Sequence, residues 1–345
     1  MRAARIHEHG GPEVLSLDDV PEPSAGPGQA LVRVLAASIN HLDLWTRRGM
    51  PGVSIPFPRV LGCDGTGEVV ALGDGVEGLV VGQRVVLEPG YSDLARTDPR
   101  FAENDHFAPD YAIRGEHSDG YDQELVALDA RYCRPLPEGV DPVQAAAVPL
   151  VFLTAWGMLV TRAALEEGET VLVVAGTSGV GSAAIQIAKD RGARVLATAG
   201  SEDKLALCRD LGADEVFDHR DQEWGKRVKA ATDRRGVDVV FEHVGPATWR
   251  SSMACLARNG RLVTCGGTTG PKVDVLLPHL FIKNLSLLGS TMGPRGAFDE
   301  IFAKVAAGTF RPVVDSVLPM SEARAAHQRL EERGALGKLV LLPHE

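Results

Sequence analysis

The stretch VLVVAGTSGVGSAAIQIA, Val171 to Ala188, passes from a continuous apolar run through a glycine-rich turn into an amphipathic segment. Gly176, Ser178 and Gly181 stand at the three glycine positions of a G-x-G-x-x-G loop, with Gly179 and Val180 completing it. Gly176 permits the tight turn after a strand, Gly181 lets helix approach strand, and the helix start offers unpaired N–H groups to a pyrophosphate. Ser178 narrows the backbone approach slightly and adds a hydroxyl that can donate to phosphate.

The pattern around this loop decides its context. ETVLVVAG, ARVLATAG, DEVFDH, VDVVFEHVG and RLVTCGG read as strands, and SAAIQIAKDRG, KLALCRDLGA, RVKAATDRRG and WRSSMACLARNG as the helices between them. Such alternation with near-continuous apolar strands predicts a doubly wound parallel sheet. The first third is different: ALVRVLAA, TGEVVALG and GQRVVLEPG are short strands punctuated by Gly and Pro, as in a compact β-rich domain. The last stretch, from FIKNLSLLGSTMG to GKLVLLP, carries two amphipathic helices and short strands without a phosphate loop, and is read as the chain returning to its first domain. The expected domains are therefore residues 1–140 with 283–345, and 141–282.

Composition narrows the function. A chain of 345 residues, 44% hydrophobic and 24% charged, has the make-up of a two-domain soluble enzyme. A formal charge of −10 argues against nucleic acid or an anionic membrane as partner and for a small-molecule substrate. Five scattered cysteines without C-x-x-C spacing signal neither a disulfide framework nor a clustered zinc site, and the N-terminus lacks the apolar core of a signal peptide, so a cytoplasmic location is expected. Val143 to Val160 is apolar for about the minimum spanning length, but Gln144, Pro149 and Thr154 interrupt it and favour a buried helix.

The second strand bears on the cofactor. It ends Ala197-Thr198-Ala199-Gly200, without the acid that accepts a ribose hydroxyl in NAD sites. Ser201 can cap the next helix and Lys204 lies one turn inside it, a pairing that suits a 2′-phosphate and points to NADP(H). The alternative is an ordinary helix start with Glu202 or Asp203 turned to the ribose. His219 and Arg220 are further cations for the adenosine end, and Gly245, Gly266, Thr268 and Met292 fall at carboxyl ends of strands, where ligands of such sheets sit.

The order of elements, the segments PEVL, GPGQALVRV, SINHLDLWTRRG, AAAVPLVFLTAW, AGTSGVG and FEHVG, and the closing GKLVL together resemble the medium-chain dehydrogenase/reductase superfamily over essentially the whole chain. The resemblance is to its zinc-type alcohol dehydrogenase and NADPH:quinone oxidoreductase groups. It implies a GroES-like catalytic domain and a Rossmann domain, hydride transfer to or from a nicotinamide, and a homodimer paired through the strand in NLSLLGSTM.

It also implies a test at Gly62-Cys63-Asp64-Gly65, where a thiolate and a carboxylate stand side by side. Zinc-dependent members have ligands where this chain has Asn40, Cys63, Asp64 and Leu150, so the zinc set is broken and zinc is not expected. His41 and Asp43 can be recruited to a metal, yet Asn40 to Asp43 also reads as a capped helix start. A second, four-cysteine lobe of zinc-type relatives aligns with Asp93, Arg96, Pro99 and Phe107, which cannot form a tetrathiolate. The resemblance assigns Asn40 and Thr154 as catalytic, Asn40 donating its amide to the developing oxyanion and Thr154 orienting the nicotinamide. Leu42, Cys63, Leu150 and Met292 line the substrate pocket. Three functions are carried forward: a zinc-free NADPH-dependent reductase of quinones or α,β-unsaturated carbonyls, an alcohol dehydrogenase with an atypical metal site around Cys63, and a non-catalytic NADPH-binding protein. His117 and His243 are read as structural.

Overall fold

The computed structural model describes residues 1–50 and 52–344. The chain forms two compact units, Met1–Leu150 with Phe298–Ala306 and the segment from Arg311 onward, and Val151–Ala297 with Ala307–Phe310. The boundaries expected at 140 and 283 both shift, for different reasons. The helix Pro142–Ala146 belongs to the first unit because Ala146 and Ala147 bury against Ala36 and Val340. The strand Ser286–Gly289 belongs to the second because its backbone pairs in parallel with Arg261–Thr264.

The first unit is built on the strand Gln29–Ile39, whose Ala30, Val32 and Val34 alternate inward while Leu31 and Arg33 do not. It pairs antiparallel with Asp64–Leu72, Leu125–Asp129 and Lys338–Leu342. The sheet runs in the order Cys133–Pro135, Arg84–Leu87, Asp64–Leu72, Gln29–Ile39, Lys338–Leu342, Val314–Pro319. Val32, Val34, Val69, Val85, Leu87, Tyr121 and Leu128 form its core. Register has a chemical result: Ser38 lies opposite both Asp64 and Val340, and Ile39 opposite Leu339. The end of the central strand, the start of the second and the start of the C-terminal one therefore meet.

The segment that aligns with the four-cysteine lobe of zinc-type relatives is held by polar links, among them Asp110. Asp110 accepts the Ser92 hydroxyl at 2.6 Å and the N–H groups of Asp93 and Leu94 at 2.9 Å each. Arg131, forked on Asp129, lies 3.6 Å from Asp93 and adds an ionic link at the same turn.

The second unit is the expected doubly wound sheet. Its six parallel strands run Glu215–Asp218, Arg194–Ala199, Thr170–Val173, Val237–Glu242, Leu256–Thr264, Ser286–Gly289. Sheets of this two-half order bind dinucleotides at the crevice where the strand order reverses. Leu172, Val174, Leu196, Val240 and Leu262 are sealed in one of its faces with Trp224, Val228 and Met253. The apolar stretch 143–160 is not one helix: it breaks into Pro142–Ala146 and Pro149–Trp156, each opening on proline, followed by a π-helical turn Gly157–Arg162. Among the described residues no helix is long and apolar enough to cross a membrane.

Candidate functional site

In the first unit the converging strand ends assemble a buried polar cluster from Asn40, Cys63, Asp64 and Lys338. Asn40 Nδ2 donates to Asp64 Oδ2 at 2.9 Å, to Cys63 Sγ at 3.2 Å and to the Ser38 carbonyl at 3.3 Å. Lys338 Nζ donates to Asn40 Oδ1 and, at 3.0 Å, to Asp64 Oδ2. The other Asp64 oxygen accepts the Leu150 N–H at 2.8 Å, so Leu150 contributes its backbone and no ligand atom. Leu42 is half-buried in the adjoining helical turn.

This geometry bears on the role expected of Asn40. An oxyanion donor needs an N–H directed at substrate, but here both amide hydrogens are directed at protein acceptors and the amide oxygen takes the Lys338 ammonium. The helix His41–Arg48 is started by Asp43, which accepts the Asn40 N–H at 2.7 Å and the Gly62 N–H at 3.1 Å. Thus Asp43 is spoken for as a cap, while the Asn40 side chain also serves the cluster.

Burial sets the charge state of the surrounding groups. The Cys63 thiol is pushed well above its ordinary range by burial and then by Asp43 and Asp64, so it stays neutral. Asp43 is pushed up to about 6 by burial. Asp122, packed against Gly62 with neither carboxyl oxygen hydrogen-bonded, rises well above the carboxylate range by burial and the Asp43 charge. His41 is held down to about 4 by burial and Lys338, and is neutral at pH 7. The helix itself is anchored by Arg47, fully buried, which reaches Gly10 O at 3.3 Å, His327 Nδ1 at 3.2 Å and Glu331.

The donor set does not fit zinc. The Leu150 side chain has no ligand atom, and the Asn40 and Asp64 oxygens already hold a positive charge, the Lys338 ammonium. A metal at this point would have to displace that ammonium. Among the described residues, no three His, Cys, Asp or Glu side chains form a group able to hold a metal ion.

In the second unit the glycine-rich loop leads from the strand Thr170–Val173 into a capped helix. Ser178 caps the helix Gly179–Asp190, its Oγ accepting the Gly181 N–H at 3.0 Å. A Cβ on Gly181 would lie 2.4 Å from the Ala175 carbonyl and one on Gly176 would lie 2.8 Å from Cys208 Sγ, so both glycines are required by close approach. Gly179 and Val180 supply the first-turn N–H groups that a helix leaves without intrahelical partners. His243, read as structural, braces the loop: its Nε2 lies 3.1 Å from Ser178 Oγ. The sequence signal for it was its place at the end of a strand beside the loop-bearing one.

At the carboxyl end of Arg194–Ala199, Ser201 caps the helix Glu202–Asp210 with Lys204 in its first turn. His219 Nδ1 lies 3.2 Å from Thr198 Oγ1 and its ring stands over Gly200. The nearest strand-end acid is Asp218, opposite Ala199 on the neighbouring strand. Arg220 forks onto it at 3.1 and 2.7 Å and holds its carboxyl down to about 2. Arg220, expected as a phosphate cation, is an ion-pair partner of Asp218. Gly245, with φ +89, sits against Gly267 and Gly270, and the Thr268 N–H reaches the His243 carbonyl at 3.3 Å, so the strand-end candidates Gly245, Gly266 and Thr268 form one loop cluster. Thr154 Oγ1 approaches Met292 Sδ at 3.8 Å, beside Gly157, whose Cβ position would lie 2.1 Å from the Met292 carbonyl. The nucleotide residues suit a nicotinamide dinucleotide: a cradle that side chains would fill, a capped helix start, and donors past the second strand.

Known proteins agree with this division. Residues 26–138 match the model of the alcohol dehydrogenase GroES-like domain and 179–307 that of the zinc-binding dehydrogenases. A quinone oxidoreductase of Pseudomonas aeruginosa is 33% identical over 97% of this chain and 97% of its own length. A solved structure described as an NAD-dependent alcohol dehydrogenase is 43% identical, covers 99% of both chains and superposes with a TM-score of 0.95. Crotonyl-CoA carboxylase/reductase AntE in complex with NADP is 27% identical over 99% of this chain and 94% of its own, with a TM-score of 0.88. With a GroES-like unit, a Rossmann-type sheet and full-length relatives of this kind, the chain belongs to the medium-chain dehydrogenase/reductase superfamily and is an oxidoreductase of that group.

Proposed function

We propose that this chain is an NADPH-dependent reductase that delivers hydride to a quinone or an α,β-unsaturated carbonyl without zinc. The observation that carries the reading is the Lys338 ammonium lodged between Asn40 and Asp64, at the positions where zinc-dependent relatives bind their metal. Hydride addition to a plain ketone concentrates charge on one alkoxide oxygen, which a Lewis acid ordinarily stabilises. A conjugated acceptor spreads that charge over an enolate or hydroquinone oxygen, a weaker base that fixed dipoles can stabilise.

The nicotinamide supplies the hydride when bound. Gly176 to Gly181 hold its pyrophosphate, Ser201 and Lys204 favour a 2′-phosphate, and Asp218, neutralised by Arg220, does not compete for the ribose. Thr154 and Met292 serve the nicotinamide end, and Leu42, Cys63 and Leu150 line the acceptor pocket, Cys63 as a small neutral thiol. Asn40 acts as a positioning residue, its carboxamide fixed by Lys338 and Asp64. Residues 1–150 with the C-terminal segments form the catalytic domain. A homodimer, a small-molecule substrate and a cytoplasmic location complete the reading.

A second reading, alcohol oxidation with NAD, is favoured by the description of the 43% identical structure. One experiment separates them. Protein stripped with a chelator and checked by elemental analysis is assayed with NADPH on quinones and enals, and with NAD and NADP on simple alcohols. Full quinone or enal reduction without alcohol oxidation supports the first; zinc-dependent alcohol oxidation abolished by Cys63→Ser overturns it. No turnover with any acceptor leaves a cofactor-binding protein.

A further inference from the structure

At the amino ends of the parallel strands, the end opposite the phosphate loop, the second unit has a cavity of about 410 Å³ lined by Lys229, Arg234, Arg235, Ala257, Arg258 and Lys283. Five of the six are cations in a chain of formal charge −10, so general basicity does not account for their gathering. Asp238 neutralises Arg235, but among the described residues no carboxylate pairs with Lys229 in the cavity wall, nor with Arg234, Arg258 or Lys283.

The cations are held in place from behind. Arg258 Nη1 donates to the Ile282 carbonyl at 2.8 Å, Lys283 Nζ donates to the Leu256 carbonyl at 2.6 Å, and the Asn259 N–H donates to the Lys283 carbonyl at 2.7 Å. The loops that frame the cavity turn through left-handed residues, Asp233, Arg234, Asn259 and Asn284, with φ of 50, 63, 61 and 53°. Asn tolerates that region, but Arg234 occupies it at a conformational cost. The mutual repulsion is felt locally: burial and then Lys229 hold Lys283 below the ordinary lysine value, and burial, Lys283 and Lys229 do the same to His279. Cations at the carboxyl end of the helix Trp224–Ala231 offset its dipole, which accounts for Lys229 and Arg234. It does not account for Arg258, which lies on a strand.

We infer that this cavity is a second anion site, for a small molecule bearing two or more phosphate groups. Arginine forks grip phosphate oxygens two at a time and lysines add point charges, while a cavity of this size admits a diphosphate or a sugar bisphosphate but not a folded partner. The site is separate from the dinucleotide loop because it lies at the other end of the same strands.

The test is calorimetric titration of the full chain, saturated with whichever of NADPH or NADH it binds so that the phosphate loop is occupied, at constant ionic strength. Pyrophosphate and a sugar bisphosphate are the probes, with inorganic phosphate as the single-charge-centre comparison. One saturable event per chain is expected, with the tighter probe telling a free diphosphate from a phosphate ester. Lys229→Gln and Arg258→Gln should each weaken it about tenfold or more, whereas Arg250→Gln on an exposed helix position should change it less than about twofold. Lys229→Gln leaves the Arg258 and Lys283 backbone links intact, so its effect is readable even where Arg258→Gln unfolds. No saturable heat with any probe, or an equal loss with Arg250→Gln, overturns the site.

Discussion

Lys338 Nζ lies 3.0 Å from Asp64 Oδ2 with the two side chains 4% and 0% exposed. An ion pair so sealed is a poor source of net stability but a costly thing to break, because removing one partner strands the other charge. Lys338→Met is therefore expected to destabilise the protein by about 3–5 kcal/mol in urea unfolding, and Lys338→Met with Asp64→Asn to recover much of that loss. A single-variant cost below about 1 kcal/mol would mean that water or another cation reaches Asp64.

The buried His327 makes stability depend on pH. Burial and Arg47 hold it down to about 3, so between that value and its ordinary 6.5 the folded chain binds fewer protons than the unfolded one. Stability present at neutral pH is then lost as pH falls, by roughly 2–3 kcal/mol from this group at about pH 4.5. His41, held down to about 4, acts in the same direction, while Asp43, raised to about 6, loses stability as pH rises from about 4 to 6 and partly offsets both. Thermal unfolding across pH 4.5 to 7 should show a steep acid limb that flattens in His327→Gln; an unchanged limb would place the titration elsewhere.

Cofactor choice is measurable by nicotinamide fluorescence. NADPH is expected to bind more tightly than NADH, and Lys204→Glu to weaken NADPH by about 1–3 kcal/mol with a smaller effect on NADH. Equal wild-type affinities would return the ribose to Glu202 or Asp203.

Ser286–Gly289 is the last strand of its sheet, and Leu276, Leu277, Phe281 and Ile282 just before it are more than half exposed. An open edge beside an apolar patch is a natural seat for a second copy of the chain. Light scattering at micromolar concentration should give a dimer, and Leu287→Pro, which removes a backbone donor from that strand, should shift it toward monomer. A monomeric wild type contradicts the proposal.

Local periodicity made the parallel sheet legible, since continuous apolar strands and the Gly176 to Gly181 turn are properties of adjacent residues. The buried cluster was only half legible. Asn40, Cys63 and Asp64 stood out by position, but Lys338, almost three hundred residues later, joins them only because the C-terminal strand pairs with the central one at Ile39 and Leu339. Nothing in a GKLVL run signals that its lysine is buried. Another long-range pairing explains the later of the two boundaries that moved: the segment Ser286–Gly289 has the short apolar pattern of either domain, and hydrogen bonding to Arg261–Thr264 decides it. His243 has no local signature as a lone histidine; the contact it makes in the fold is to Ser178, sixty-five positions earlier.

The fork between Arg220 and Asp218 bears on how readily such a chain changes its coenzyme. A carboxylate already stands at the strand end opposite Ala199, masked by its neighbour two residues on. On the proposed NADPH reading, turning the site toward NADH requires no new acid, only the loss of a guanidinium: Arg220→Ala is expected to withdraw a cation from the 2′-phosphate side and unmask Asp218. An acid masked by a single arginine thus lies one substitution away from exposure at the strand end.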